Sequence, residues 1–295
     1  MKKTLLIGLA AVALGSMTAC SNILEEEGVI SAQTGTLTIG VEADGRVDVT
    51  TKATEEDLSN VYESLKDNFF VKLTPPAGTS ISEELTTGNL TYLNVKNKSY
   101  KLPAKTGYTL TATYGTMDNK SFAWDNPVFG GTSSIEVVAN RLTQGSVNCT
   151  LTNSIIDVNV GDLNTDSDNG NGVIITSLYA IVGDDETTKF YLIGDNNVEE
   201  GKSLTSNVLY VAANVDAKLI MEGKLESDAS KTFKTTAVEI QAEGTSVTTE
   251  KTKYKVKYAL SNANGQLQLL VSIDGKVNVV NINETVDPYA PATNE

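Results

Sequence analysis

The sequence predicts an all-β protein made of two tandem antiparallel β-sandwich domains, with one short helix near the N-terminus. Apolar and polar residues alternate with a period of two along most of the chain, which is typical of strands with one buried face. These runs recur at roughly 8–12-residue spacing and are separated by turns rich in Gly, Asn and Asp. Apolar residues at helical spacing occur only in Thr54–Asp67. The length of 295 residues leaves room for two domains of ordinary size.

The first 19 residues predict an export signal. Lys2 and Lys3 precede an apolar run, Leu5–Leu14, that is too short to span a bilayer and suits the core of a signal peptide. Residues Met17–Cys20 resemble the lipobox of bacterial lipoproteins, in which the cysteine is lipidated and becomes the first residue. We therefore predict lipidation of Cys20 and a lipid-anchored location at the outer membrane, on the cell surface. The alternative is a plain secretory signal with an incidental cysteine.

An acidic tether is predicted at residues 20–34, between the anchor and the first domain. Its run Glu25–Glu27 resembles the surface-export signal of lipoproteins from Bacteroidota, and a solvated linker explains it equally well. The rest of the chain is predicted to form an N-terminal β-sandwich domain at 35–155 and a C-terminal β-sandwich domain at 156–286. Residues 287–295 are predicted to be a flexible tail.

The first domain is predicted to open with a β-hairpin and a short helix. Leu37–Val41 and Val47–Val49 alternate on either side of the turn Ala43–Gly45, which favours a hairpin. In Thr54–Asp67, a capping-box variant, Thr54-x-x-Asp57, precedes apolar residues at helical spacing. Those apolar residues are Leu58, Val61, Tyr62 and Leu65.

Strands resume after this helix. Phe69–Leu73 reads as a strand that is ended by Pro75 and Pro76. Tyr108–Tyr114 alternates apolar residues with threonines, so one face of its sheet is expected to be buried and the other wet. Cys149 falls on the apolar face of a further strand and is predicted to be a small buried hydrophobe.

The second domain follows a loop at 161–172 that is rich in Asp, Asn, Gly and Ser. Its last three strands are joined by Asn264-Gly265 and Asp274-Gly275, which are preferred hairpin dipeptides, so we predict an antiparallel meander. The candidate strands are Val173–Val182, Phe190–Ile193, Asn207–Ala213, Ala217–Met221, Phe233–Ile240, Tyr254–Leu260, Leu267–Ile273 and Lys276–Ile282.

The residue content excludes several classes of function. The sequence has no histidine, which removes Ser-His-Asp and Cys-His catalysis and His-ligated zinc sites. Loss of Lys2 and Lys3 with the signal takes the formal charge from −14 to −16, which argues against nucleic acid as a partner. Only Cys149 then accompanies Cys20, so no disulfide forms within the folded part. The lack of histidine does not exclude a pair of catalytic carboxylates, as in glycoside hydrolases. We nevertheless predict no enzyme, no catalytic residue and no cofactor.

Two local patterns are candidate binding sites. Asp162, Asn164, Asp166 and Asp168 place oxygen ligands at alternate positions, as calcium loops do. The loop lacks the glycine and the final acid that such loops require, so a solvated inter-domain loop is favoured and no metal is predicted. Trp124 is a candidate for stacking on a sugar ring, with a core anchor as the alternative. Three aromatic residues lie near it in sequence: Tyr114, Phe122 and Phe129.

Four segments carry a resemblance to a known family. Leu102–Gly115, Trp124–Gly130, Cys149–Ser154 and Val47–Ala53 resemble a family of Bacteroidota surface lipoproteins catalogued as a domain of unknown function, which is similar to the fimbrillin-like, or type V, pilins. The resemblance implies two transthyretin-like sandwiches in tandem. It also implies partners: the membrane through the lipid anchor, other pilin-like subunits, or a host or glycan surface. Its motifs are structural, and it carries no catalytic residue over to this sequence.

The favoured function is a cell-surface lipoprotein with a structural or adhesive role, as a fimbria-like subunit or as an anchor. The alternative is a glycan-binding lipoprotein of a nutrient-uptake system, and a carboxylate-based glycoside hydrolase comes third. The resemblance implies activation by proteolytic loss of an N-terminal strand, which opens a groove for another chain's strand. Arg46 is therefore a candidate processing site, where a cut releases the anchor and the first strand together. Otherwise Arg46 is a polar hairpin residue and the protein stays an anchored monomer.

Overall fold

The computed structural model describes residues 33–49, 54–115, 122–160, 173–194, 202–203, 208–226, 228–241, 244–263, 266–273, 276–281 and 283–284. The signal sequence, Cys20 and the calcium candidate Asp162–Asp168 lie outside these residues, as do the turns at 264–265 and 274–275. Strands dominate the described residues, so the predicted all-β class is confirmed.

The described residues of the N-terminal half form ten strands, three one-turn α-helices and one 3₁₀ helix. In chain order these are β1 Thr34–Asp44, β2 Arg46–Val49, β3 Thr54–Asp57, α1 Ser59–Tyr62, the 3₁₀ helix Glu63–Asn68, β4 Phe70–Thr74, α2 Glu83–Thr86, β5 Leu90–Thr91, α3 Tyr92–Val95, β6 Tyr100–Pro103, β7 Lys105–Tyr114, β8 Ala123–Trp124, β9 Phe129–Val137 and β10 Leu142–Leu151. None of the described helices has the length and apolar character needed to cross a bilayer.

The described part of the second half consists of strands. They are β11 Asn153–Asn159, β12 Val173–Val182, β13 Phe190–Gly194, β14 Lys202–Ser203, β15 Val208–Ala212, β16 Ala217–Leu225, β17 Thr232–Lys234, β18 Val238–Glu239, β19 Thr252–Ala263, β20 Gln266–Ile273, β21 Lys276–Asn281 and β22 Asn283–Glu284. The run β19–β20–β21 is antiparallel throughout, so the predicted meander is confirmed.

The strands form three sheets. The first sheet has the order β5-β4-β7-β9-β10-β1-β6. The second has the order β21-β20-β19-β11-β15-β8, with β2 pairing both β19 and β3. The third has the order β14-β13-β12-β16-β17-β22, with β18 pairing β16. Most neighbours are antiparallel, but β1 with β10, β11 with β19, β2 with β19 and β13 with β14 run parallel.

Two hydrophobic cores lie on opposite faces of the second sheet at β11 and β15. Ile155 packs into the core that includes Leu37 and Leu110 of the first sheet, whereas Ile156 packs into the core that includes Leu178 of the third sheet. Tyr210 of β15 packs on the core that includes Leu37, whereas its two neighbours in β15 pack into the core that includes Leu178. Successive side chains of a strand point to opposite faces, which explains the difference. The domain boundary between residues 155 and 156 stays a prediction. Three strands that precede it in the chain, β2, β3 and β8, pair within the second sheet together with strands that follow it.

The predicted hairpin of the first two strands is wrong. β1 pairs with β10 and β6, whereas β2 pairs with β3 and β19 of another sheet. The chain changes sheets at Gly45, whose carbonyl accepts a hydrogen bond from the Leu58 N–H at 2.9 Å and whose N–H donates to Ser59 Oγ at 3.1 Å. These two contacts turn the chain away from β1 after Asp44.

The short helix near the N-terminus is present but begins later than predicted. Thr54–Asp57 is strand β3, and the Asp57 carboxylate accepts the Ser59 N–H at 2.9 Å, so the predicted capping box does not form. Tyr62 is buried as predicted, but Val61 is 63% exposed. Helices α2 and α3 were not predicted, and Phe233–Ile240 is split into β17 and β18. The split occurs where the Thr235 Oγ1 accepts a hydrogen bond from the Met221 N–H.

Candidate functional site

Strand β1 forms one continuous ridge of buried side chains in the first sheet. Leu37, Ile39 and Val41 are each at most 3% exposed, and the residues between them face the other side of the sheet. β10 runs parallel along β1 from Thr36 to Asp44, whereas β6 covers the opposite edge only from Thr34 to Leu37. The strand is thus an integral part of the first core and is contributed by the N-terminal end of the described chain.

Arg46 lies where the chain crosses from the first sheet to the second. Its guanidinium binds the Asp44 carboxylate through Nε at 2.8 Å and Nη2 at 2.6 Å, while 57% of its side chain stays exposed. The hydrogen bond from Arg46 holds the pKa of Asp44 well below its usual range. Arg46 is therefore an exposed residue in a fixed geometry, and not the hairpin residue of the alternative prediction.

The segment after Arg46 is fastened to the second sheet. Asp48 pairs with β19 and donates its N–H to the Lys251 carbonyl at 2.7 Å. Glu56 of β3 accepts from Lys253 Nζ at 3.0 Å and from Lys255 Nζ at 2.9 Å, and Lys253 also contacts Asp157 at 3.1 Å. Because the Lys253 side chain is only 12% exposed, this cluster is shielded from solvent better than an ordinary surface pair.

The hydrogen bonds of this cluster favour the charged forms of Glu56 and Lys253. The hydrogen bond from Lys255, followed by that from Lys253, lowers the pKa of Glu56 despite its partial desolvation. Desolvation is the largest influence on Lys253 and lowers its pKa, but the hydrogen bonds to Glu56 and Asp157 outweigh it, so that pKa is raised overall. Both groups therefore stay ionised near neutral pH.

A second feature is an open groove beside Trp124, with a volume of about 420 Å³. Gly115 directly follows strand β7 and has φ +73°, and a Cβ there would lie 2.9 Å from the Pro127 carbonyl oxygen. The absence of a side chain lets the loop after Trp124 approach β7 and close one side of the groove. The side chains that line the groove include Phe70, Tyr114, Trp124, Asn68, Asp125 and Asn126.

The groove brings together only part of the predicted aromatic group. Trp124 and Tyr114 line it, and Tyr114 stacks on Phe69 with ring centroids 5.4 Å apart. Phe129 is buried in the first core, and Phe122 packs against the second. Trp124 is half-buried, and its Nε1 has no hydrogen-bond partner among the described groups.

Phe70 was missed as a member of this aromatic group. It is 47% exposed, whereas the preceding Phe69 is fully buried. Adjacent residues of a strand point to opposite faces, so the pair Phe69-Phe70 implies that one ring faces outward. The pair is visible in the sequence, so an exposed phenylalanine ring at this strand could have been predicted.

Cys149 is buried as predicted, and burial raises the pKa of its thiol to about 12. Its Sγ contacts the Ala112 carbonyl oxygen at 3.5 Å. A thiol in this state is a packing group and a poor nucleophile.

The carboxylate chemistry that the sequence left open gains no support. Wherever the pKa of a described carboxyl group is clearly shifted, it is lowered, whereas a glycosidase acid needs a raised pKa. Within the described ranges, no group of three or more His, Cys, Asp or Glu side chains could hold a metal ion.

The fold and these two features define a class: an all-β protein whose described strands form three sheets, with an exposed arginine at the start of β2, just after β1, and an aromatic groove. The chain belongs to the family described as "Domain of unknown function (DUF4493)", whose model matches residues 33–288. The predicted membership in a family of unknown function is therefore confirmed. A search of curated proteins found no match.

Similar solved structures include three fimbrial proteins from Bacteroidota. A fimbrial assembly protein from Parabacteroides distasonis is 12% identical, with 83% of this chain and 98% of that chain covered and a TM-score of 0.35. The fimbrial anchor protein Mfa2 from Porphyromonas gingivalis is 11% identical, with 82% and 98% covered and a TM-score of 0.35. A fimbrilin from Porphyromonas gingivalis is 10% identical, with 85% and 98% covered and a TM-score of 0.33. Because these TM-scores are below 0.5, we infer no function for this chain from the three similarities.

Proposed function

We propose that the protein is a lipid-anchored cell-surface protein with a structural or adhesive role, and that it works as a fimbria-like subunit or anchor through exchange of strand β1. The observation that carries the proposal is the position of Arg46. It separates β1 and the predicted anchor at Cys20 from all later strands, and it is exposed. A cut after Arg46 separates β1, which pairs within the first sheet, from the rest of β2, which pairs within the second.

Loss of β1 leaves a site that favours another strand. Leu37, Ile39 and Val41 are almost fully buried, and burial of such side chains contributes about 1.5–3 kcal/mol each. Vacating the position exposes the apolar surface beneath them and leaves the backbone groups of β10 that face Thr36–Asp44 unpaired. An incoming strand with the same alternation restores both interactions, which is the basis of strand-addition assembly.

The test uses the arginine content of the chain, which is limited to Arg46 and Arg141. In an Arg141→Lys background, an arginine-specific protease has one site, and the matched control carries Arg46→Lys as well. We expect limited digestion of the purified protein in detergent to release a fragment ending at Arg46. Size measurement should then show a ladder of oligomers, which is absent in the control. A cleaved protein that stays monomeric would contradict the subunit role and leave the anchor or adhesive role.

Lipidation is tested separately. Cys20→Ala should abolish incorporation of labelled palmitate and release the protein from the membrane fraction, because stable anchoring needs covalently attached acyl chains. Cys149→Ala is the matched control and should leave labelling unchanged. Unchanged labelling of Cys20→Ala would refute the anchor.

A glycan-binding lipoprotein of a nutrient-uptake system is the alternative proposal. It shares the predicted location and differs in requiring a sugar site as its central feature. The glycoside hydrolase remains third, since it needs a carboxyl group with a raised pKa, and the described carboxyl groups whose pKa is clearly shifted have it lowered.

A further inference from the structure

We infer that the groove beside Trp124 is a binding site for neutral saccharides. The inference extends the adhesive role proposed above and rests on it only for its biological purpose, because the groove does not include β1 or Arg46. Its described residues come from the 3₁₀ helix, from β4, β5, β7 and β8, and from the segments that follow β7 and β8.

The aromatic rings provide the apolar part of the site. Phe70 is 47% exposed although it lies in a strand, and it shares the groove with Tyr114 and Trp124. Tyr114 and Trp124 are half-buried, and one exposed ring beside two half-buried rings in one concavity indicates an interaction site more strongly than scattered rings do. The axial C–H face of a pyranose ring is apolar and packs on an aromatic face, whereas its hydroxyl groups need polar partners at the rim.

The polar lining supplies those partners. Asn68, Asp125 and Asn126 line the same groove as the three rings, and amide and carboxylate groups can both bind sugar hydroxyls. The volume of about 420 Å³ falls within the range of small-molecule sites, which combine aromatic walls with a few polar groups. A long apolar peptide would leave these polar groups without partners, which disfavours it as the occupant.

The charge of the site selects among saccharides. The described residues that line the groove include Asp125 and neither lysine nor arginine, and the whole chain carries a formal charge of −14. An anionic sugar would therefore bring a further negative charge next to the Asp125 carboxylate. Neutral hexose oligosaccharides are the expected ligands, and uronic acid oligosaccharides are not.

Trp124 also supplies the measurement. It is the only tryptophan of the chain, so intrinsic tryptophan fluorescence reports on this groove alone. Titration of the full-length protein in detergent with cellohexaose or maltohexaose should change the emission in a saturable manner with at least one of them. A hexamer of galacturonic acid should bind at least tenfold more weakly than the better neutral sugar.

Three variants test the location. Phe70→Ala should weaken the better neutral sugar about three- to tenfold, as expected for loss of one aromatic contact, and Phe70→Tyr should restore it. Leu142→Ala, which removes an apolar residue that is 60% exposed outside the groove lining, should bind like the parent. Circular dichroism confirms that each variant is folded.

The inference is overturned if neither neutral hexasaccharide binds, if folded Phe70→Ala binds like the parent, or if the galacturonic acid hexamer binds as tightly as the neutral sugars. None of these results depends on cleavage at Arg46. Failure of the saccharide site and failure of strand exchange are thus separate outcomes.

Discussion

Replacing Ile39 with alanine tests whether β1 is as deeply integrated as the structure indicates. Ile39 is 3% exposed and packs in the core beneath the first sheet. The substitution removes three carbon atoms, which at about 0.8 kcal/mol per buried methylene corresponds to roughly 2.4 kcal/mol of lost transfer free energy. The residual cavity adds to this cost, so the free energy of unfolding should fall by about 2.5–4 kcal/mol.

The matched control is Thr38→Ala, one residue earlier on the opposite face of the strand. The Thr38 hydroxyl makes a 3.5 Å contact with the Thr143 carbonyl and lies outside the core, so the loss should stay below about 1 kcal/mol. Urea unfolding followed by the fluorescence of Trp124 gives both values, and an unchanged dependence on urea concentration shows that the unfolded states are comparable.

A second measurement links this stability to the proposed strand exchange. If β1 leaves after cleavage at Arg46, the cleaved Ile39→Ala protein and the cleaved parent should be equally stable, since neither retains position 39. An intact Ile39→Ala protein within about 0.5 kcal/mol of the parent would refute the packing of β1 described above. A difference that persists after cleavage would show that β1 stays bound.

Three further outcomes are expected. Glu56→Gln should lower stability by about 1 kcal/mol at pH 7, and the difference should disappear as the pH falls below 4.5, because a lowered carboxyl pKa stabilises the fold above the unfolded value and its contribution is lost on protonation; urea unfolding at several pH values measures the difference, and a difference that does not change with pH would contradict the ion pair. Cys149, with a pKa of about 12, should resist alkylation by iodoacetamide at pH 8 in the native protein and react in urea, whereas native labelling at the rate of a free thiol would contradict its burial. Millimolar calcium should leave the thermal midpoint unchanged; a rise of more than a few degrees that a chelator reverses would assign a calcium site to the loop Asp162–Asp168.

Local patterns predicted the strands well because a strand with one buried face shows apolar and polar residues in alternation along the sequence. Tyr108–Tyr114 alternates and Val173–Val182 is mostly apolar, and both lie in strands of the structure. The partners of these strands carry no comparable signal. β1 pairs in parallel with β10, about a hundred residues away, and nothing in the alternation of Leu37–Val41 distinguishes that partner from the neighbouring β2.

The failed hairpin shows how tertiary contacts override a local rule. The turn at Ala43–Gly45 has suitable residues for a hairpin, but the backbone of Gly45 is bound by Leu58 and Ser59. Those residues come from the start of α1, which the sequence placed inside a longer helix. Because Leu58 and Ser59 were assigned to the interior of a longer helix, their contact with Gly45, which directs the chain away from β1, was not predicted.

The same topology constrains which strand could replace β1. Because β2 pairs with β19 and Glu56 binds the shielded Lys253, the segment after Arg46 stays on the second sheet, and a cut empties only the position between β10 and β6. An entering strand that keeps the pairing of β1 must run parallel to β10 and place apolar side chains at the positions of Leu37, Ile39 and Val41. Two residues before the first of these it needs a glycine, because a Cβ at Gly35 would collide with the Val138 carbonyl oxygen. The vacated site therefore selects the pattern Gly-x-apolar-x-apolar-x-apolar in one direction, which is far more restrictive than hydrophobicity alone.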